Sequence, residues 1–97
     1  MSFSYPPYAY LEQVLLNCPK ASLLYWKLWR HKDSENKIHI FKHDLYEIFG
    51  FSVKKFNHDL MLLTNQGLVS SVFKQDRKIE IELVGWDDYD EDNLLCL

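Results

Sequence analysis

Apolar residues along the chain change period several times, and each change marks an element. Tyr8, Leu11, Val14 and Leu15 recur at helical spacing behind Pro6 and Pro7, which suit a helix start, and Asn17, Cys18 and Pro19 end the segment. A second helix is predicted from about Pro19 to His31, with Ala21, Leu24, Tyr25 and Leu28 on one stripe and Leu23 and Trp26 on another. Two stripes imply two neighbours: the domain core on one side and, on the other, the first helix or a second copy of the chain. The polar run KDSEN, residues 32–36, then makes a turn, and KIHIF alternates as a short strand does.

After the strand the helical period returns. Leu45, Ile48 and Phe49 have the spacing of a short helix, Gly50 suits the left-handed conformation that ends one, Ser52 is a good N-cap for the next helix, and Gly67 a good stop for it. Beyond Gly67, LVSSVFKQ and KIEIELV alternate around Gln75, Asp76 and Arg77, which predicts a hairpin with Ile79, Ile81 and Leu83 on one face. The end of the chain, DDYDEDNLLCL, has no periodicity and a run of like charge, so it is expected to be a flexible tail. Residues 1–86 are thus expected to form one domain and 87–97 an acidic tail.

Composition agrees with one domain: 97 residues, 47% of them apolar and 15% aromatic, can bury a single core. The net charge of −3 is unevenly placed. Residues 87–97 carry Asp87, Asp88, Asp90, Glu91 and Asp92 and no Lys or Arg, leaving 11 basic and 9 acidic side chains in the remainder. The body is therefore mildly basic, a weaker footprint than that of a strong nucleic-acid binder. No apolar run is long enough to span a bilayer, and the start MSFSYPPYAYLEQ lacks the basic and apolar regions of a signal peptide, which predicts a cytoplasmic protein without membrane contact. Cys18 and Cys96 lack a CxxC spacing and are expected to be free thiols.

The order helix, helix, strand, helix, helix, hairpin brings a resemblance into view. Residues 42–69, KHDLYEIFGFSVKKFNHDLMLLTNQGLV, resemble the helix-turn-helix core of bacterial and phage winged-helix proteins, whose pattern runs roughly ELAxxLGVSxxTVxRxLxxLxxxGLV. Leu45, Phe49, Gly50 and Ser52 match its Leu, Leu-Gly and Ser; Phe56, Leu60 and Leu63 fall on its core positions; Gly67, Leu68 and Val69 form its closing Gly-Leu-Val. The motif covers about a third of the chain, and with the flanking elements the resemblance extends over residues 19–85. It implies an α+β, mainly α fold: a winged helix-turn-helix, with a three-helix core plus β-hairpin wing, and an extra N-terminal helix. Tyr46 stands where the pattern has a small Ala, which predicts wider packing between the two short helices.

The same resemblance implies double-stranded DNA as partner, with one helix in the major groove and phosphate contacts from helix ends and wing. Stepping 100° per residue, Val53, Phe56, Leu60 and Leu63 form the buried stripe of that helix, and Lys54, Lys55, His58, Leu62 and Asn65 the outer face. Lys54, Lys55 and His58 are the expected groove contacts, and Asn57, near the border, is placed to reach an adenine edge. Ser52 precedes them at the helix start. Lys74, Arg77 and Lys78 cluster at the wing turn, while Lys42 and His43 accompany the free amides at the start of the preceding helix.

Winged helices also bind proteins, so a second reading runs beside the first. Met61 and Leu62 make the outer helix face apolar, and Trp86 leads into the acidic residues Asp87, Asp88, Asp90, Glu91 and Asp92; together they suit an inhibitor or adaptor that docks on a protein. Residues 8–26 would supply a homodimer interface, which suits a protein that binds paired half-sites on DNA. His39 and His43 are four apart, but His39 belongs to a strand and no Cys or carboxylate completes a set, so neither a metal site nor a cofactor is expected. Three Gly without a phosphate-loop pattern, and no spaced Ser, His and Asp, point away from an enzyme.

Overall fold

Pro7 leads directly into the first helix, α1 (Tyr8–Asn17), its carbonyl accepting the amides of Tyr10 and Leu11 at 3.0 and 3.1 Å in the computed structural model, which describes residues 5–86. The buried side of α1 is Val14, flanked by Tyr10 and Leu11. Tyr8 and Leu15, expected on that stripe, are exposed, as is Leu16. Tyr8 and Leu15 lie about 100° around the axis from the line through Tyr10, Leu11 and Val14, and Leu16 nearly opposite it, so the helix turns all three away from the core.

A 3₁₀ turn, Pro19–Ala21, takes the place of the expected first turn of the second helix, and α2 runs from Ser22 to His31. Leu24, Tyr25, Leu28 and Trp29 are fully buried, so α2 is the centre of the domain, while Leu23 and Trp26 stay on the outside as a separate stripe. In the KDSEN turn, Asp33 Oδ1 accepts the amides of Glu35 and Lys37 at 2.8 and 3.0 Å. Strand β1 (Lys37–Phe41) follows, with Ile38 and Ile40 inward.

A second 3₁₀ turn, Lys42–Asp44, leads into α3 (Leu45–Phe49), whose Leu45 and Phe49 are buried. Tyr46 is 74% exposed, so it does not stand between α3 and the next helix, and the expectation of wider packing fails on that ground. Gly50 at φ 75° ends α3. Lys27 of α2 reinforces this end: its ammonium donates to the Phe49 carbonyl at 2.6 Å and lies 5.3 Å from the ring of Phe51, which Lys55 approaches at 5.2 Å. Helix α4 (Val53–Asn65) starts at Ser52, whose Oγ accepts the Lys55 amide at 3.2 Å, and gives way to β2 through Gly67 at φ 76°.

Strands β2 (Val69–Gln75) and β3 (Lys78–Leu83) are joined by the two residues Asp76 and Arg77, with Asp76 at φ 54°. The sheet order is β1–β3–β2, antiparallel throughout. Ile38 pairs with Ile81 and Ile40 with Ile79, all buried in the core, while Lys37, His39 and Phe41 face outward beside Glu82, Glu80 and Lys78. From Ser70 onward β2 is exposed, so the hairpin extends past the core. Among the described residues the fold is α+β, with four α-helices and one three-stranded sheet.

Candidate nucleic-acid interface

The outer surface of α4 is set by which of its residues the core takes. Phe56, Asp59, Leu60 and Leu63 are buried and Val53 packs at the margin, which leaves Lys54, His58, Met61 and Asn65 along the outermost ridge. Leu62, expected on that ridge, is partly buried against the core. It sits at the edge of the helix that the rest of the domain covers, so the apolar character of the ridge comes from Met61 alone, 54% exposed.

Asp59 is the charged residue that sequence reasoning missed. Its side chain is 3% exposed, and the carboxylate accepts a hydrogen bond from the Lys55 ammonium at 2.9 Å and faces His58 Nδ1 at 3.5 Å. A buried carboxylate is costly unless paired, and here the helix supplies the pair one turn earlier. Lys55 is thereby drawn to the flank, toward Asp59 and the Phe51 ring, whereas Lys54 is exposed with no partner among the described residues. Asp59 also acts on Cys18: burial, and secondarily the Asp59 charge, pushes that thiol above its ordinary pKa. The signal for Asp59 was present in its position on the buried arc between Phe56 and Leu63.

Lys20 was missed for a different reason. It belongs to the 3₁₀ turn between α1 and α2, and only the fold brings it to the shallow hollow that Ser52, Lys54, Lys55, His58 and Asp59 line. On the opposite flank of α4, the hairpin residue Lys74 donates to Asn57 Oδ1 at 2.9 Å, tying hairpin to helix. The ridge is therefore bordered by a cation from another element on each side.

The remaining predicted residues gather at the tip of the hairpin. Lys42 lies where β1 ends, yet its amide is not free as expected: it donates to the Arg77 carbonyl at 2.7 Å, because the 3₁₀ turn packs against the hairpin before α3 begins. His43 stacks on Phe41 with centroids 5.5 Å apart and lies 3.6 Å from Asp44, and Lys78 Nζ lies over the same Phe41 ring, 5.7 Å from its centroid. Arg77 and Lys78 line a hollow with Phe41, Gln75 and Asp76. The candidates thus form two groups, one around α4 and one around Phe41, with Lys74 belonging to the first.

Of the residues predicted to dock a protein, Trp86 is engaged within the domain: it packs against the core, its Nε1 donates to the Tyr5 carbonyl at 2.8 Å, and its ring meets Tyr5 edge to face at 5.8 Å. Asp87, Asp88, Asp90, Glu91, Asp92 and Cys96 lie outside the described residues. His39 stands between Asp33 at 3.8 Å and Glu80 at 3.6 Å, well apart in role from His43. No family model matches the chain, and no curated protein or solved structure is significantly similar to it. Among the described residues no helix is long and apolar enough to cross a membrane.

Proposed function

We propose that the chain is a small winged-helix DNA-binding protein, a regulator of transcription or replication in a bacterium, plasmid or phage. The observation that carries this reading is the α4 ridge, with Lys54 and His58 in its N-terminal half, bordered by Lys20 on one flank and by Lys74 of the hairpin on the other. A major groove accepts one helix, and the cations that border the helix meet the groove's base edges or its phosphate walls. The order of α2, β1, α3, α4 and the β2–β3 hairpin suits this use, with α3 and the turn at Gly50 behind the reading helix and the hairpin as wing. Arg77 and Lys78 at the hairpin tip extend the phosphate contacts beyond the groove.

Titration of a mixed-sequence duplex at several salt concentrations tests the proposal. With about four lysine and arginine contacts, the slope of log affinity on log salt is expected to be roughly −3 to −4. Replacing Lys20 and Lys54 together by Ala weakens binding at every salt concentration and makes the slope shallower. Failure of the native protein to bind any duplex at low salt refutes the proposal.

A second reading rests on a separate surface. Tyr8, Leu15, Leu16, Leu23 and Trp26 are exposed on the first two helices, an apolar set suited to a homodimer or another protein. Sedimentation of the native chain beside the Leu16→Asp and Leu23→Asp variants tests it; a monomer that binds nothing through these helices removes it.

A further inference from the structure

The bond between Lys74 and Asn57 restricts what Asn57 can present. A lysine ammonium has donors only, so the amide oxygen of Asn57 faces Lys74 Nζ at 2.9 Å and the Asn57 amino group points away from it. An unpaired asparagine reads adenine by offering one acceptor and one donor to the adjacent N6 amino group and N7. Here the acceptor has a cation beside it, and the exposed edge consists of the Asn57 N–H donors and the two remaining Lys74 N–H donors.

We infer that Asn57 and Lys74 act together as a two-donor reading edge, which selects guanine over adenine at one position of the bound duplex. Guanine offers two adjacent acceptors in the major groove, N7 and O6, and both meet donors. Adenine offers N7 but sets its N6 amino group against the Lys74 ammonium, donor against donor. Hairpin and helix each supply half of this edge, so neither α4 nor the wing alone carries the preference. The inference rests on the DNA-binding reading and adds the chemical class of base that the site prefers. Lys74 is also kept from roaming along the backbone as a phosphate contact, because its ammonium is held to the helix.

Selection from a pool of randomised duplexes, followed by anisotropy titration of the selected duplex and of variants with each guanine pair replaced by adenine–thymine, provides the test. The native protein is expected to lose about tenfold in affinity at one guanine position, as one good base contact confers. Lys74→Met keeps the aliphatic stem and removes the donors; it is expected to bring the guanine-to-adenine ratio at that position near one, and Asn57→Ala to do the same. Circular dichroism of both variants confirms that they are folded. A Lys74→Met protein that binds all duplexes more weakly while its guanine preference is unchanged makes Lys74 a phosphate contact and overturns the inference, leaving DNA binding intact. Equal binding of all duplexes by the native protein overturns it as well. Absence of binding to every duplex overturns both the inference and the reading beneath it.

Discussion

Lys54 and Lys55 are consecutive lysines at the start of one helix, and replacing each by Ala separates binding from stability. Lys55 pairs at 2.9 Å with a carboxylate whose side chain is 3% exposed, while the lysine itself is half in solvent. Deleting one partner of a fully buried pair costs about 3–5 kcal/mol, since an uncompensated charge is left behind. Solvent reaches Lys55, and His58 remains 3.5 Å from the carboxylate, so the expected loss is smaller, about 1–2 kcal/mol. For a domain of this size that lowers the melting temperature by roughly 5–10 °C. Lys54→Ala removes an unpaired exposed ammonium and is expected to leave the melting temperature where it was while weakening duplex binding. Differential scanning calorimetry of both variants, with a Lys55→Ala/Asp59→Asn double-mutant cycle, measures the effect. The cycle should return a coupling of about 1 kcal/mol that shrinks only modestly with added salt. Equal melting temperatures for the two single variants, or zero coupling in the cycle, would refute the view that Asp59 depends on Lys55.

Other expectations follow from single features. Ser52→Ala removes the acceptor for the Lys55 amide and should cost about 1 kcal/mol in urea unfolding, whereas Ser52→Asp should cost little. At Gly67, φ is 76° with open space around an added Cβ, so Ala should lose about 1 kcal/mol through backbone strain alone and Asn less than Ala. Asp33 is held below the ordinary carboxylate range, chiefly by the Lys37 amide and also by the Glu35 amide. Its stabilisation is therefore present above the unfolded value of about 3.9 and lost as pH falls through the lower folded value, so Asp33→Ala should flatten the acid limb of the stability curve. Cys18 is buried with its thiol pKa raised, so iodoacetamide should label it slowly in the native protein and quickly in denaturant.

Much of the fold was legible because its periods are clean. KIHIF forms β1 over the same five residues, and Gly50, Ser52 and Gly67 adopt the stop, cap and stop conformations that their chemistry favours. The two stripes of α2 also separate as their spacing implies. Position on a helix was misjudged where apolar residues spread over too wide an arc. Tyr8 and Leu15 share a spacing with Val14 yet point away from the core, and Leu62 falls on the covered edge of α4. For Tyr8 and Leu15 hydrophobicity was a poor guide to direction, because apolar side chains occur on both sides of a small domain. Leu62, by contrast, was set on the outer face by its helical step and is drawn in by what covers that edge.

The candidate site was legible only along α4. Lys54 and His58 follow from the helical step and the apolar stripe, and so in principle does Asp59. Lys20 beside the N-terminal half of α4, Lys74 on Asn57, and the Lys42 amide on Arg77 are meetings of residues between 17 and 39 positions apart. The order and kind of elements were written in local periodicity and turn chemistry, since each depends on residues a few positions apart. Which lysine is engaged and which is exposed was decided by packing. A charge on a helix surface takes its role from the partner that the rest of the chain brings to it, and that partner is set only when the core has closed.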